Sequence, residues 1–293
     1  MEKGIIVKKF GGFYFVYNEG TVIRCTHRGK HRLDKKDVYP GDYVELSVLP
    51  HEEGVQGVIE HVLPRKNLLR RPLVANVTQL ICVTAVKSPE PNYFLLDKLL
   101  VCAELNDLQV VVCFNKKDIP SPDREDAVRK YARIGYRVIM TSALTGEGVN
   151  DLKELLAGHL SVFAGQSGVG KSSLLNLLKP EAEMEVGEIS GKLKAGRHTT
   201  KHVELFSLDK GGFVADTPGF SRIDIPPMVR EELGEYFPEI RELRAKCRFN
   251  TCLHDQEPGC AVTEAVETGQ VDALRYRSYI TLLKEVIARE RSF

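Results

Sequence analysis

Three short segments of this 293-residue chain stand in an order that restricts its fold more than any one of them does singly. Asn115-Lys116-Lys117-Asp118 comes first, Gly165-Gln166-Ser167-Gly168-Val169-Gly170-Lys171-Ser172 second, and Asp216-Thr217-Pro218-Gly219 third. Segments of these kinds belong to one pocket at the carboxyl end of a parallel sheet. In the usual chain order the glycine-rich loop leads and the N-K-x-D segment closes. Here that order is turned round, so the connectivity of the fold has been cut and rejoined elsewhere.

The middle segment fits G-x-x-x-x-G-K-[ST]. Leu160 to Ala164 before it reads as a buried strand, and Ser173 to Leu178 after it as the opening of a helix. Glycines 165, 168 and 170 permit a tight turn whose N–H groups point at phosphate oxygens. The helix N-terminus adds partial positive charge. Lys171 should reach the β- and γ-phosphates of a nucleotide, and the Ser172 hydroxyl should bind Mg²⁺; Gln166, Ser167, Val169 and Ser173 complete the loop. A chance glycine-rich turn is the competing reading, and strand, helix and companion motifs weigh against it.

Leu108 to Phe114 is an apolar run suited to a parallel strand, and it ends at Asn115. Asp118 can accept hydrogen bonds from N1–H and the exocyclic amine of guanine. Adenine lacks both donors there, and a site built on such pairing rejects the analogue by roughly 10⁴–10⁵. Lys116 would lie over the ring, with Lys117 beside it, and Asn115 would tie the loop to the phosphate side. Arg137 to Met140 forms another short strand, ending in Thr141-Ser142-Ala143-Leu144, a small-residue loop whose N–H groups would meet guanine O6. Taken alone, N-K-K-D is equally a solvated charge cluster; in this company it points to GTP and GDP.

Gly212 to Ala215 leads as a strand into Asp216, which should hold Mg²⁺ through water, while the Gly219 N–H would sense the γ-phosphate. The next residue is Phe220, where many GTPases place a water-orienting Gln. Intrinsic hydrolysis should therefore be slow unless another group positions the water. Thr199 or Thr200 should close on Mg²⁺ and the γ-phosphate. His198 stands where it would orient water; a solvated loop histidine in a basic segment is the equal alternative.

Of seven cysteines, Cys247, Cys252 and Cys260 cluster with His254 as C-x₄-C-x-H-x₅-C. Three thiolates and one imidazole satisfy tetrahedral Zn²⁺ with no open position, which describes a structural site. Cys25, Cys82, Cys102 and Cys113 are scattered singly in apolar segments and read as buried free thiols. Nothing else suggests export, so disulfides are the weaker alternative.

The charge is balanced, 41 basic against 40 acidic, and excludes an argument for nucleic acid from global charge. Residues 192–202 carry six basic or His side chains in eleven positions, and Arg65, Lys66, Arg70 and Arg71 cluster at a domain junction. Either group is also explained as a solvated loop. The N-terminus lacks a signal-like apolar core and no apolar run reaches membrane-span length, so the expectation is a cytoplasmic protein. Nothing demands more than a monomer.

Residues 1–64 alternate short β-rich runs with turns (4–10, 13–17, 21–25, 42–48 and 57–62), which suits an OB-fold barrel. Tyr14, Tyr17, Lys8, Lys9, Arg24 and Arg28 would serve an RNA-facing surface there, or fill the sheet. Residues 65–224 alternate strands with helices, the pattern of an α/β domain. Residues 225–293 look helical around the metal knuckle and end in an amphipathic stretch, Val271 to Ile287, with Leu274, Leu282, Leu283 and Val286 on its apolar side.

N-K-x-D, S-A, G-Q-S-G-V-G-K-S-S, G-R-H-T-T, D-T-P-G-F, the barrel and the Cys/His knuckle recur in this order in the bacterial ribosome small subunit-dependent GTPase A (RsgA) family, which the whole chain resembles. The resemblance implies a circularly permuted P-loop GTPase domain between an N-terminal OB-fold and a C-terminal zinc domain. It implies an enzyme that assists late maturation of the small ribosomal subunit, contacts its rRNA and is stimulated by that subunit. It carries residues 115–118 and 165–173 over as GTP contacts, Cys247, Cys252, His254 and Cys260 as zinc ligands, and His198 as the water-positioning group. Lys201 stands where a third Thr would be expected, with little consequence. The permutation would join the second switch to the zinc domain through Phe220 to Pro227, so that nucleotide state changes the angle between RNA-gripping domains. A GTP-gated RNA-binding scaffold with incidental hydrolysis is the alternative, and Phe220 keeps it open.

Overall fold

The β-rich runs near the N-terminus close into a barrel. In the computed structural model, which describes residues 1–27, 37–49, 56–179, 203–216 and 225–290, the strands are β1 (Glu2–Phe10), β2 (Phe13–Asn18), β3 (Thr21–His27), β4 (Tyr43–Val48) and β5 (Gly57–Val62). β1, β2 and β3 pair antiparallel in succession, β3 runs parallel to β5, β5 antiparallel to β4, and β4 returns antiparallel to β1. That closure leaves no open sheet edge among the five, as in an OB-fold. Ile6, Val16, Ile23, Cys25, Val38, Val44, Leu46 and Ile59 fill the inside.

The remaining elements are β6 (Leu68–Arg70), β7 (Leu73–Ala75), β8 (Gln79–Ala85), α1 (Tyr93–Leu105), β9 (Gln109–Asn115), α2 (Arg124–Arg133), β10 (Arg137–Met140) and α3 (Val149–Leu156). They are followed by β11 (Leu160–Ala164), α4 (Lys171–Leu178), β12 (Glu204–Ser207), β13 (Phe213–Asp216), a 3₁₀ turn (Arg230–Tyr236), α5 (Pro238–Arg244), α6 (Ala261–Glu267) and α7 (Ala273–Glu290). Contacts divide the chain into two units. One holds Met1–Leu80, Val149–Phe163 and Ser172–Phe220, the other Ile81–Gly148, Ala164–Lys171 and Ser221–Phe293.

In the first unit β11 runs parallel to β13, β13 antiparallel to β12, and β12 meets β1 at Lys8 and Glu204. β11 is buried throughout, as a run of apolar residues covered on both faces should be. Its one polar residue, Ser161, donates to Gln79 Oε1 at 2.7 Å, and the Gln79 amide donates to the Leu155 carbonyl at 2.9 Å, so no buried polar group is stranded there.

Several residues considered for an RNA surface are engaged within this unit. Lys8 pairs with Glu204 at 2.9 Å, and Tyr17 meets Phe213 edge-on at 5.2 Å. Lys9 and Tyr14 lie together on the barrel wall, as do Arg24 and Phe13, while Arg28 lies outside the described residues. Arg65 is neither a solvated loop residue nor a free basic one. Its guanidinium grips both oxygens of the fully buried Asp42, with Nη2 at 2.7 Å from Oδ2, and lies 5.0 Å from the Tyr39 ring. The backbone N–H of Tyr39 donates to the same carboxylate at 2.8 Å. The clasp ties the chain leaving the barrel back to the loop before β4.

In the second unit the strand order is β10-β9-β8, with β9 and β10 parallel. α1 packs on the C-terminal helices: Val101 and Cys102 share one core with Phe237, Ile240, Tyr279, Leu282, Leu283 and Val286. Within it, the wholly buried Arg275 binds Asp97 of α1 at 2.8 Å and Glu239 of α5 at 2.7 Å. The α7 stretch forms as expected, except that Leu274 is 43% exposed. Asp272 caps the helix by accepting the Leu274 and Arg275 N–H groups, and the inward face then runs through Arg275, Tyr279, Leu282 and Val286. Leu274 falls beside that stripe, one residue early in the 3.6-residue period. Among the described residues no helix is long and apolar enough to cross a membrane.

Arg65→Met should lower the unfolding free energy by roughly 3 kcal/mol, the low end for stripping the partner from a buried carboxylate, because part of the Arg65 side chain meets water. Urea titration of the variant beside the native chain measures it, and an unchanged midpoint would refute the clasp.

Candidate functional site

β9 is apolar from Val110 to Phe114, and its last residue, Asn115, is buried. Its single amide holds three pieces of chain together. Nδ2 donates to the Val169 carbonyl at 2.8 Å, and Oδ1 accepts from Thr141 Oγ1 and from the Ala143 N–H, both at 3.1 Å. The glycine-rich loop, the end of β9 and the loop after β10 are thereby fixed to one another. Gly170 makes the approach possible: its φ is +96°, and a Cβ there would lie 2.2 Å from Asn115 Nδ2. Gly165 has the same kind of constraint against the Val83 carbonyl, 2.0 Å from where its Cβ would be. Each is a backbone approach that only glycine allows.

Lys116 turns the chain with φ +64°, closed by the Ile119 N–H donating to its carbonyl at 2.9 Å, and its ammonium donates to the Ser88 carbonyl. The Lys117 N–H donates to the Thr141 carbonyl at 3.0 Å, and its amine pairs with Glu147. Asp118 is exposed, with Oδ1 accepting from the Ser142 hydroxyl. The Ser142 oxygen in turn accepts the Thr145 N–H at 3.1 Å. The carboxylate is therefore aimed by a neighbour that is itself held, an acceptor pair facing outward from a rigid loop.

In the glycine-rich loop the Lys171 ammonium lies over the turn, donating to the carbonyls of Gly165 at 2.8 Å and Gln166 at 2.7 Å. Burial lowers its pKa below the ordinary lysine value, so an anion at this position would favour the charged form. Ser172 and Ser173 occupy the exposed first turn of α4, anchored below by Leu174, Leu175 and Leu178.

Asp216 ends β13 in the first unit, and its carboxylate takes the Lys179 ammonium at 2.8 Å. That partner carries no sequence signal: Lys179 follows α4 at no motif position. His198, Thr199, Thr200, Gly219 and Phe220 lie outside the described residues, as does the stretch to Asp224.

The four knuckle residues come together, with ligand atoms all within 4.8 Å of one another. The Sγ atoms of Cys247 and Cys260 are each 3.5 Å from His254 Nδ1. His254 sits at φ +59°, and three residues that sequence reasoning did not single out hold its loop. The Glu257 carboxylate accepts N–H bonds from Leu253, Asp255 and Gln256 at 2.8, 2.9 and 3.1 Å. Tyr276 and Tyr279 donate to the carbonyls of His254 and Leu253 at 2.7 and 2.9 Å. Burial pushes the Cys252 thiol up to about 12 and pulls His254 below its ordinary value. Burial opposes ionisation of Glu257 too, yet the N–H bonds keep its carboxyl below the usual range. The cluster can hold a metal ion, whose charge would supply what the Cys252 thiol needs to ionise. Cys25, Cys82, Cys102 and Cys113 are buried and in no disulfide.

Residues 62–226 match the family described as RsgA GTPase, and residues 3–56 the RsgA N-terminal domain. The chain is 50% identical over 291 residues to the small ribosomal subunit biogenesis GTPase RsgA of Moorella thermoacetica, covering 99% of each. To the protein of that name from Caldanaerobacter subterraneus subsp. tengcongensis it is 49% identical over 292 residues, 99% of this chain and 97% of that one. Among solved structures it is similar to YjeQ from Thermotoga maritima, with 42% identity, a TM-score of 0.82 and 98% of each chain covered. It is also similar to YloQ, described as a circularly permuted GTPase, with 38% identity, a TM-score of 0.81 and 99% and 96% coverage.

Asn115→Ala should weaken GDP binding about a hundredfold, because it strands buried groups at about 1–3 kcal/mol each. Calorimetric titration of the folded variant reads this directly.

Proposed function

Because the chain belongs to the RsgA GTPase family and is a GTP-hydrolysing enzyme, we propose that its GTPase cycle serves late maturation of the small ribosomal subunit, in the cytoplasm and as a monomer. The observation that carries the nucleotide site is the Asn115 amide, which sets the guanine-reading loop against the phosphate loop. Asn115, Lys116, Lys117, Asp118, Ser142 and Ala143 take the base, and Gly165 to Ser173 take the phosphates. Asp118 accepts from the guanine edge, Lys116 covers the ring, and Lys171 exchanges its two carbonyl partners for β- and γ-phosphate oxygens.

The hydroxyl and carboxylate oxygens of Ser172, Asp216 and Thr199 or Thr200 suit a hard cation. Bound there, Mg²⁺ would neutralise charge on the β- and γ-phosphates. Asp216 must then leave Lys179. His198 orients the attacking water in place of the Gln that Phe220 replaces, and Gly219 senses the γ-phosphate.

The knuckle holds one structural zinc. Its donor set suits that ion, and tetrahedral Zn²⁺ with ordinary bond lengths separates sulfur and nitrogen ligands by about 3.6 Å; the Sγ to Nδ1 distances are 3.5 Å. We divide the chain into a barrel (1–64) that meets rRNA, a permuted GTPase domain (65–224) and a zinc-binding helical domain (225–293). The small subunit as partner rests on the names of the relatives.

Small ribosomal subunits, but not large ones, should raise GTP turnover by orders of magnitude in a phosphate-release assay. Absence of stimulation despite tight GTP binding would favour the scaffold reading. Asp118→Asn turns the acceptor pair partly into a donor, so it should lose GTP by about 10³ or more and gain xanthosine triphosphate, whose ring offers a carbonyl there. Competition binding with the two nucleotides tests it.

A further inference from the structure

A continuous path of hydrogen bonds and packed rings runs within the second unit from the guanine-reading loop to the metal knuckle. At its first end Arg124 of α2 donates to the Lys117 carbonyl at 3.2 Å. One face further along α2, the buried Tyr131 ring lies 6.2 Å from that of Phe114, the residue before Asn115. The Tyr131 hydroxyl donates to Asp97 Oδ1 at 2.9 Å, and Arg275 of α7 donates to the same oxygen at 2.8 Å. Beside it Lys130 pairs at 3.1 Å with Asp272, the residue that caps α7. α7 then carries Tyr276 and Tyr279 to the carbonyls of His254 and Leu253, between the metal-ligating cysteines.

We propose that occupancy of the Cys247, Cys252, His254 and Cys260 site is energetically linked to guanine-nucleotide affinity through α7 and α2, with Lys130 and Tyr131 as positioning residues. The inference rests on the nucleotide and metal sites proposed above. The knuckle is the two-state element: Glu257 and the two tyrosines gather its ligand loop, a bound metal adds four ligand bonds that fix it, and without those bonds the loop is looser. Fixing the Leu253 and His254 carbonyls fixes α7 through its tyrosines. Arg275 cannot shift alone, since doing so would leave Asp97 and Glu239 buried without their cation. The register of α7 is therefore passed to α2 by two polar links, and α2 touches the guanine loop at both Lys117 and Phe114. This route is independent of the second switch. Linkage then requires the reciprocal effect, nucleotide on metal affinity, to be of equal size.

The test uses the full chain, native and Lys130→Ala/Tyr131→Phe, each first shown by elemental analysis to carry zinc. GDP affinity is measured by titration with a fluorescent GDP analogue before and after zinc removal by chelator. Zinc affinity is measured on the loaded protein by competition with a chromophoric chelator, with and without saturating GDP, which avoids any need for metal-free protein to stay folded. The native chain should lose at least fivefold in GDP affinity on zinc removal and gain the same factor in zinc affinity with GDP, within the range of ordinary allosteric couplings. The double variant should bring both ratios close to one while still binding each ligand. Ratios near one in the native chain, or equal ratios in the two proteins, overturn the linkage. Loaded protein that binds no GDP at all overturns the nucleotide site and the linkage with it.

Discussion

One buried carboxamide organises the loops at the end of β9. Asn115 spends its donor on the glycine-rich loop and its acceptor on the loop after β10, so two segments far apart in the chain are held at one distance. A buried amide left unpaired is costly, which makes the arrangement close to all-or-none. The interaction acts through space and is indifferent to chain order. A permuted chain order is therefore compatible with it: the loop ending β9 precedes the glycine-rich loop here, and one amide still ties the two together. The glycine at position 170 is the other half of the contact, since any side chain would occupy the place of the amide nitrogen.

Two arginines, each paired with a buried carboxylate, do for the larger architecture what Asn115 does for the loops around it. Arg65 closes the barrel on to the chain that leaves it, through Asp42. Arg275 joins α1 to the C-terminal helices through Asp97 and Glu239. Buried ion pairs add little net stability against apolar packing of the same volume, but removing one partner is expensive. Each pair therefore specifies a single docking geometry. In the second unit that geometry places the Cys/His knuckle and the loop from Asn115 to Asp118 on one connected framework.

The knuckle shows how a small loop prepares for a cation. Its thiol at Cys252 and imidazole at His254 are both driven toward their neutral forms by burial. Glu257 gathers the loop's N–H groups and the two tyrosines hold its carbonyls. The loop is thus gathered partly by Glu257, inside the motif, and partly by two tyrosines of α7.

Much of this was legible in the amino-acid sequence. Arg137–Met140 and Leu160–Ala164 coincide with β10 and β11, because each is a short run rich in apolar and β-branched residues with sharp ends. The five barrel strands fall within two residues of their expected bounds, since alternation and turn residues act locally. The motif segments declare their chemistry within a few positions for the same reason: backbone turns, glycine approaches and ligand spacing are short-range properties. The tertiary structure alone decided the rest. It committed Arg65 to Asp42, put Lys179 on Asp216, turned Leu274 outward and paired Arg275 with Asp97 across 178 residues. Such partners share no periodicity or spacing. Their pairing depends on which surfaces meet when helices and sheets pack, and that is settled only once the whole chain has folded.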